Sequence, residues 1–251
     1  EVAAICGSDG HEIRMSPEIP FCIGHEFVGR IVKMGKNANK FIHSYGGELN
    51  VGDRIVVYPH ITCGKCDTCI THGDGICGVC DEDFCYGGPM SEGEPGTLNT
   101  NPEQYPHFKG GFGEYVYIFP NTYVWKIPED MPAKVAVLLD PMAVAMRAVE
   151  MAMTEMGTLQ EGLSTSTRAL VIGAGPIGVM CGMILKRMGV DQLVIADKTD
   201  KKLETAKELT GADVILNNTG KSTEERVAEI KRVTDGGPHI VLQCASHRSA
   251  T

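Results

Sequence analysis

The spacing of hydrophobic and polar positions changes near residue 140. Before that point, short runs rich in β-branched and aromatic residues are separated by Gly, Pro and Asp. Such runs, with no long helical pattern between them, predict a small antiparallel or barrel-like domain. Its strands are predicted at residues 27–34, 54–59, 115–119 and 122–127, and the aperiodic segment 78–111, rich in Gly, Pro, Asn and Glu, is predicted to be a long surface loop.

After residue 132 the pattern becomes helical and then alternates. Residues 133–153 contain few helix breakers other than Pro141, which marks a helix start or a kink. Continuous apolar runs then alternate with predicted helices, as is typical of βαβ units in a doubly wound parallel sheet. The strands are predicted at 169–172, 193–196, 214–216 and 240–243, and the helices at 176–188, 201–209 and 223–233. We therefore predict an α/β protein with a first domain at 1–141 and a second at 142–251.

Length and charge narrow the function classes. The 251 residues carry a formal net charge of −9 and are 43% hydrophobic, which is typical of a soluble globular protein with one large or two medium domains. The acidic balance argues against a nucleic-acid-binding surface, because neutralising phosphates needs clustered Lys and Arg. The apolar runs are far shorter than the ~20 residues of a membrane span, and no signal or transit segment is recognisable at the start. We therefore predict a cytoplasmic protein that binds neither nucleic acid nor membrane.

Cysteine positions are clustered. Six of the ten cysteines lie between residues 63 and 85. Two-residue gaps in Cys63-x2-Cys66-x2-Cys69 let successive thiolates face one centre, and Cys77 follows after seven residues as a fourth ligand. Four thiolates close a tetrahedral shell, so this lobe, residues 63–77, is predicted to bind a structural zinc ion. A disulfide pair and an iron–sulfur cluster are the alternatives, and Cys80 and Cys85 are assigned no role.

A glycine pattern predicts a dinucleotide-binding turn. Gly173-x-Gly175-x-x-Gly178 lies between a predicted strand and a predicted helix, the context in which this pattern binds a pyrophosphate at the helix N-terminus. Asp197 follows Gly178 by nineteen residues, at the end of the next strand. A carboxylate there accepts hydrogen bonds from ribose hydroxyls and repels a 2′-phosphate, so NAD is favoured over NADP. Three lysines weaken this preference because they could neutralise a phosphate: Lys198, Lys201 and Lys202.

Four motifs occur in register along the chain: Cys6-Gly7-Ser8-Asp9-Gly10-His11, Gly24-His25-Glu26, the cysteine lobe 63–77 and the glycine pattern 173–178. Together they resemble the zinc-containing medium-chain alcohol dehydrogenases. Leu139-Asp140-Pro141-Met142 is similar to the polyol and butanediol dehydrogenase branch, in which a carboxylate-Pro pair stands where other members have a cysteine. The resemblance implies a GroES-like β-rich catalytic domain and a partial Rossmann domain with strand order 3-2-1-4. A complete Rossmann sheet has six strands, so the chain is expected to be a piece of a longer enzyme, cut at both ends.

The resemblance also implies roles for residues that spacing alone does not pair. Cys6 and His25 would be ligands of a catalytic zinc, with Asp140 as the third protein ligand. Glu26 would bind the metal transiently or tune it, and Asp9 would accept the free N–H of His25. The proton-relay positions are matched by Ser8 and His11. The residues implied to bind the dinucleotide are Gly173, Gly175, Pro176, Ile177, Gly178, Asp197 and Lys202.

These expectations describe an oxidoreductase with one catalytic and one structural zinc ion. It would transfer a hydride between the CH–OH group of an alcohol or polyol and NAD(P), and its full-length form would be a homodimer or homotetramer, as family members usually are. Two alternatives stay open: a superfamily member that oxidises formaldehyde or another aldehyde, and a non-catalytic zinc- and dinucleotide-binding protein that senses redox state. A sensor needs no proton relay, which favours the enzyme.

Overall fold

The computed structural model describes residues 1–15, 22–72, 80, 84–87, 107–156 and 166–245. These residues form two compact units, Glu1–Asp140 and Pro141–Thr251. The boundary between the units lies one residue before the predicted one. None of the helices within the described ranges is both long enough and apolar enough to cross a membrane.

The first unit is built on a mostly antiparallel sheet. Its elements are β1 (Val2–Ala3), α1 (Gly7–Met15), β2 (Phe27–Arg30), α2 (Ala38–Phe41), β3 (His43–Tyr45), β4 (Arg54–Val57), β5 (His60–Ile61), α3 (Asp67–His72), β6 (Phe84–Cys85), β7 (Tyr123–Lys126) and α4 (Ala133–Ala136). Five strands follow the order β1-β2-β4-β7-β3, and β5 pairs with β6 separately. Every pair is antiparallel except β3 with β7.

An aromatic cluster fills the core of this unit. Tyr86 is fully buried, and its ring meets Phe27, Phe84 and Phe119 at centroid distances of 5.9, 5.2 and 5.8 Å. Its hydroxyl accepts a hydrogen bond from the backbone N–H of Phe119 at 2.8 Å and shares another with the Thr122 hydroxyl at 2.9 Å. A buried phenol needs such partners, and the cluster thereby ties the segment before β7 to the β5–β6 pair.

The strand predicted at 115–119 is wrong. This segment has no strand partner in the described residues, and two of its backbone donors are used elsewhere. Tyr117 donates its N–H to the carbonyl of Phe108 at 2.8 Å, and the Phe119 N–H goes to the Tyr86 hydroxyl. The helix α1 was not predicted either, since its two glycines and its short length hide the helical pattern.

The second unit is a parallel α/β sheet. Its elements are α5 (Leu139–Met156, which begins at the end of the first unit), β8 (Arg168–Ile172), α6 (Pro176–Arg187), β9 (Gln192–Asp197), α7 (Asp200–Thr210), β10 (Val214–Asn217), α8 (Thr223–Val233) and β11 (Ile240–Gln243). The strand order β10-β9-β8-β11 is the predicted 3-2-1-4 arrangement. The predicted fold class is therefore confirmed. The helix predicted at 133–153 is divided into α4 and α5, and Pro141 lies in the first turn of α5, where its missing N–H has no helical partner to lose.

Candidate metal centres and dinucleotide turn

Three residues of the first unit bring potential ligand atoms together. The atoms that Cys6, His25 and Glu26 offer to a metal all lie within 4.8 Å of one another. Cys6 follows β1, and His25 and Glu26 precede β2, which is antiparallel to β1. The N–H of Ala4 donates to the carbonyl of Glu26 at 2.9 Å and extends this pairing toward Cys6. Strand pairing therefore joins two motifs that are far apart in the chain.

The buried carboxylate of Asp9 contacts both the Cys6 backbone and the His25 ring. Asp9, on α1, is 1% exposed. Its Oδ2 accepts the backbone N–H of Cys6 at 2.7 Å, and its Oδ1 lies 3.3 Å from His25 Nδ1. Oδ1 makes no well-aligned hydrogen bond with the described residues, although the His25 imidazole lies beside it. With Nδ1 facing Asp9, the Nε2 atom of His25 is the nitrogen left for a metal.

Close backbone packing holds the His25 segment in place. Gly24 has a φ of +94°, and a Cβ there would lie 2.5 Å from the ring of Phe112. The N–H of Gly111 donates to the Gly24 carbonyl at 2.7 Å, and the N–H of Phe112 donates to the Ile23 carbonyl at 3.1 Å. A side chain at position 24 would be both strained and blocked, so glycine is required immediately before the candidate ligand.

Negative charge is concentrated beside these residues. Burial raises the pKa of Glu26, and the Asp140 carboxylate raises it further, whereas His25 and Cys6 act in the opposite direction. Burial also raises the pKa of Asp140, against the effect of His25 and His60. The buried carboxylate of Glu26 and the half-buried carboxylate of Asp140 repel one another near a thiol, and a divalent cation is the partner that would relieve this repulsion.

The predicted third ligand does not converge with the other two. Among the described residues it is Glu26, not Asp140, whose oxygen joins the sulfur of Cys6 and the nitrogen of His25. Asp140, in the first turn of α5, is close enough to interact electrostatically with Glu26 and His25. Glu26 is adjacent to His25 in the chain and is only 7% exposed, so the backbone delivers it to the centre with its neighbour. His60, which no motif marked, is a further neighbour of Asp140.

The cysteine lobe forms a second cluster. The sulfurs of Cys63, Cys66, Cys69 and Cys80 lie within 4.8 Å of one another. Cys63 and Cys69 are 4.0 Å apart, close to the edge of about 3.8 Å that a tetrahedron with Zn–S bonds of ~2.3 Å requires. The backbone N–H groups of Lys65 and Cys66 point at the Cys63 sulfur at 3.4 and 3.3 Å, as they do around thiolate ligands.

Cys80 is a member of this cluster to which the cysteine spacing assigned no role. The predicted fourth ligand, Cys77, lies outside the described residues. Cys80 accepts the backbone N–H of Cys63 at 3.2 Å and belongs to the convergent set. The sequence contains a pattern that indicates Cys80 as a ligand: Cys77 and Cys80 repeat the two-residue gap that separates the first three cysteines.

The predicted relay residues lie on one face of α1. Ser8 and His11 are three positions apart and are both exposed. Within the described part of the chain, no hydrogen bond joins the two side chains or links either of them to Cys6, His25 or Glu26. Their role as a proton relay stays a prediction.

The glycine turn of the second unit has the steric requirements of its motif. Gly173 has a φ of +108°. A Cβ on Gly178 would lie 1.8 Å from the carbonyl oxygen of Gly173, so helix α6 approaches the turn too closely for any side chain. Gly175, by contrast, has open space around its Cα, and Pro176 occupies the first turn of α6. Ile177 packs against the hydrophobic core of the unit.

Asp197 is connected to this turn. Its Oδ2 accepts the N–H of Ala174 at 2.8 Å, and its Oδ1 accepts the N–H groups of Lys198 and Thr199 at 2.8 and 2.9 Å. Burial on its own would raise the pKa of Asp197, but these backbone donors and Lys202 lower it below its ordinary value. The carboxylate is therefore ionised and is held beside the glycine turn, at the carboxyl end of β9.

Models of known protein families match both halves of the chain. A family model described as "Alcohol dehydrogenase GroES-like domain" matches residues 1–129, and one described as "Zinc-binding dehydrogenase" matches residues 176–251. The starvation-sensing protein RspB of Escherichia coli K12 is 32% identical over 99% of this chain, and an L-threonine 3-dehydrogenase of Bacillus licheniformis is 27% identical over 100% of it.

A solved structure shares the fold as well. The crystal structure of RspB of E. coli CFT073, described as a short chain alcohol dehydrogenase complexed with cofactor NADH, superposes with a TM-score of 0.67. It is 31% identical, and the match covers 98% of this chain and 60% of that one. The chain likewise spans 62% of the length of the two curated relatives. Because the first family model alone matches more than half of the chain, the protein belongs to the zinc-binding, medium-chain alcohol dehydrogenase family.

Proposed function

We propose that this protein is a zinc-dependent oxidoreductase that transfers a hydride between the CH–OH group of an alcohol or polyol and NAD. The observation that carries the proposal is the convergence of Cys6, His25 and Glu26 within 4.8 Å in the unit that matches the alcohol dehydrogenase family. The zinc-binding dehydrogenase match and the NADH complex of a relative support zinc and a nicotinamide dinucleotide as the cofactors.

The residues of the first cluster fit a catalytic zinc ion. Sulfur, imidazole nitrogen and carboxylate oxygen are the three donor types that zinc accepts, and three protein ligands leave a fourth position for substrate. The buried oxygen of Asp9 beside His25 Nδ1 is the outer contact that fixes an imidazole ligand. Zinc held by Cys6 and His25, with Glu26 or Asp140 as the carboxylate, would supply the Lewis acidity that lowers the pKa of an alcohol.

The protein's own groups would then orient the substrate and move its proton. Ser8 is two residues from Cys6 and carries a hydroxyl that can accept the proton of the alcohol. His11 lies on the same face of α1 and is exposed, so its imidazole can pass that proton to solvent. Asp9 acts through His25 and is a positioning residue.

The second unit supports NAD as the hydride acceptor. The ionised Asp197 carboxylate faces the glycine turn and can accept hydrogen bonds from the adenosine ribose. A 2′-phosphate at ~4 Å from it would cost about 1–4 kcal/mol. Lys202, which is exposed and interacts with Asp197, offsets part of this repulsion. We expect NAD to be preferred over NADP by about tenfold or more, since ~1.4 kcal/mol corresponds to a factor of ten.

A substrate panel tests the function. Primary alcohols, secondary alcohols, polyols and aldehydes are supplied to the purified, zinc-loaded protein with NAD or NADP, and nicotinamide reduction is followed by absorbance. We expect the highest kcat/KM with a secondary alcohol or polyol and NAD. Oxidation of aldehydes alone would place the protein among the aldehyde-oxidising relatives. Tight NADH binding without turnover of any substrate would instead support a redox sensor.

The second cluster is proposed to bind a structural zinc ion through Cys63, Cys66, Cys69 and a fourth thiolate. We expect Cys80→Ala to lower the zinc content from about two ions per chain to about one and to lower Tm, because an incomplete shell loses its ion. Cys85→Ala is the matched control, since Cys85 lies in β6 outside the convergent set. Metal analysis of Cys77→Ala decides which cysteine is the fourth ligand: zinc loss in Cys77→Ala with full retention in Cys80→Ala would contradict the role of Cys80.

A further inference from the structure

Two thiols outside the metal clusters lie next to each other in the second unit. Cys181 is on α6, and Cys244 immediately follows β11, 63 residues later in the chain. Their sulfurs are 3.8 Å apart, and both cysteines are free. This is close to van der Waals contact, so a side-chain rotation that shortens the separation to the ~2.05 Å of a disulfide bond would join them.

The surroundings of the two thiols differ. Cys181 is completely buried in the core of the unit, where its sulfur lies 3.8 Å from the carbonyl oxygen of Ala145. Cys244 is partly exposed and packs against the rim of the same core. A small oxidant therefore reaches Cys244 more readily than Cys181, which is shielded from solvent.

We propose that Cys181 and Cys244 form a site of reversible oxidative modification, in which a hydroperoxide converts the two thiols into a disulfide bond. The Cys244 sulfur attacks the peroxide, breaks the O–O bond and becomes a sulfenic acid, and the leaving oxygen departs as water or an alcohol. The Cys181 sulfur then attacks the Cys244 sulfur, forms the S–S bond and displaces a molecule of water. Two thiols are oxidised by two electrons in total, and one peroxide is reduced.

The difference in pKa between the two thiols supports this order of steps. The hydrogen bond with Cys181 holds the pKa of Cys244 below the ordinary value of a cysteine, in spite of partial burial. The same contact, together with burial, raises the pKa of Cys181. Since the thiolate is the nucleophile, this direction and the partial exposure of Cys244 both favour Cys244 as the first sulfur to react.

The backbone at Cys244 packs against the glycine turn of residues 173–178. The N–H of Cys244 donates to the carbonyl of Ile172 at 2.8 Å, next to Gly173. A Cβ on Gly173 would lie 2.9 Å from the carbonyl carbon of Cys244 and from the nitrogen of Ala245, so the turn is packed against this backbone. A disulfide would tie α6, which the turn opens, to the end of β11. We expect oxidation to weaken dinucleotide binding, and this expectation rests on the proposed function.

Peptide mapping tests the modification directly. The zinc-loaded protein is treated with a small excess of hydrogen peroxide, free thiols are alkylated, and tryptic peptides are analysed by mass spectrometry. We expect a linked pair of peptides, residues 169–186 and 233–248, that dithiothreitol separates. In Cys181→Ser the Cys244 sulfenic acid should accumulate and be trapped by dimedone, and Cys22→Ser should leave the linkage unchanged. Sulfenic acid at Cys244 of the unsubstituted protein without linkage, or linkage of Cys244 to another cysteine, would overturn the proposal.

A binding measurement tests the coupling to the turn. Titration with NADH is carried out on the reduced and the peroxide-treated protein, and we expect the Kd to rise about fivefold or more on oxidation, within the range of ordinary couplings between sites. The Cys181→Ser/Cys244→Ser variant should keep its affinity after the same treatment. An unchanged Kd in the linked protein would refute the coupling. Absence of NADH binding to the reduced protein would count against the proposed function, while the peptide map would still decide the disulfide.

Discussion

Replacing Cys6 or His25 by alanine is expected to lower kcat/KM for alcohol oxidation by about 10³-fold or more, and to reduce the zinc content by about one ion per chain. Each substitution removes one of three converging ligand atoms, and two protein ligands hold zinc poorly. Burial and the Asp140 carboxylate already raise the pKa of Glu26, and the variant would lose the opposing effect of the replaced Cys6 or His25. Metal analysis and steady-state kinetics on the same preparations measure both effects.

Two further variants separate metal loss from misfolding. Cys22→Ala removes a thiol that lies outside both convergent sets, and we expect it to keep both its zinc ions and its turnover. Asp9→Asn keeps the shape of the side chain but removes the charge beside His25 Nδ1. We expect zinc affinity to fall by about 10–100-fold in this variant, as is usual for an outer partner of a ligating histidine. Full activity and full zinc content in Cys6→Ala would rule out the proposed centre.

Gly178→Ala is expected to abolish detectable NADH binding and to destabilise the second unit by about 1–3 kcal/mol or more. The added Cβ would lie 1.8 Å from the Gly173 carbonyl oxygen and 3.3 Å from a Val171 methyl group, so backbone has to move. Since Gly173 begins the turn that would hold the pyrophosphate, the movement disrupts the same donors that the cofactor needs. Tm and NADH titration report the two consequences separately.

Gly175→Ala is the matched control for this experiment. Gly175 has a φ of −80° and a ψ of −178°, which any residue adopts, and a Cβ there meets nothing within 4 Å. We expect the Tm to stay within about 2 °C of the wild-type value. NADH affinity should nevertheless fall, because the methyl group would occupy the space through which the backbone approaches the pyrophosphate. Wild-type affinity in Gly178→Ala would contradict the assignment of the turn.

Local signals predicted much of the second unit. The bounds of α8 and β11 are those read from the sequence, and the α8 N-terminus carries a capping box between Ser222 and Glu225. The parallel strand order follows from right-handed βαβ connections, which leave few alternatives. In the first unit such signals are weaker, because its strands are two to four residues long and their pairing is decided by distant segments.

The candidate site shows the same division. The motif around Cys6 and the pair His25-Glu26 identified chemistry-bearing residues, and the cysteine spacing identified the lobe. Which carboxylate joins Cys6 and His25 was predicted as Asp140, whereas the described structure brings Glu26 into the set. The sequence patterns assign no role to Cys80, and none of them indicates the Cys181–Cys244 contact.

The order of the residues alone indicated the α/β class through its periodicity and the cysteine lobe through its short spacings. The resemblance of its motifs to the alcohol dehydrogenases indicated the family and named Cys6 and His25 as candidate ligands. Only the tertiary structure decided which side chains meet. A contact between residues 19 or 63 positions apart, such as Cys6 with His25 or Cys181 with Cys244, depends on strand pairing and core packing. Side-chain distances of a few ångströms arise from those long-range interactions, and no local pattern encodes them.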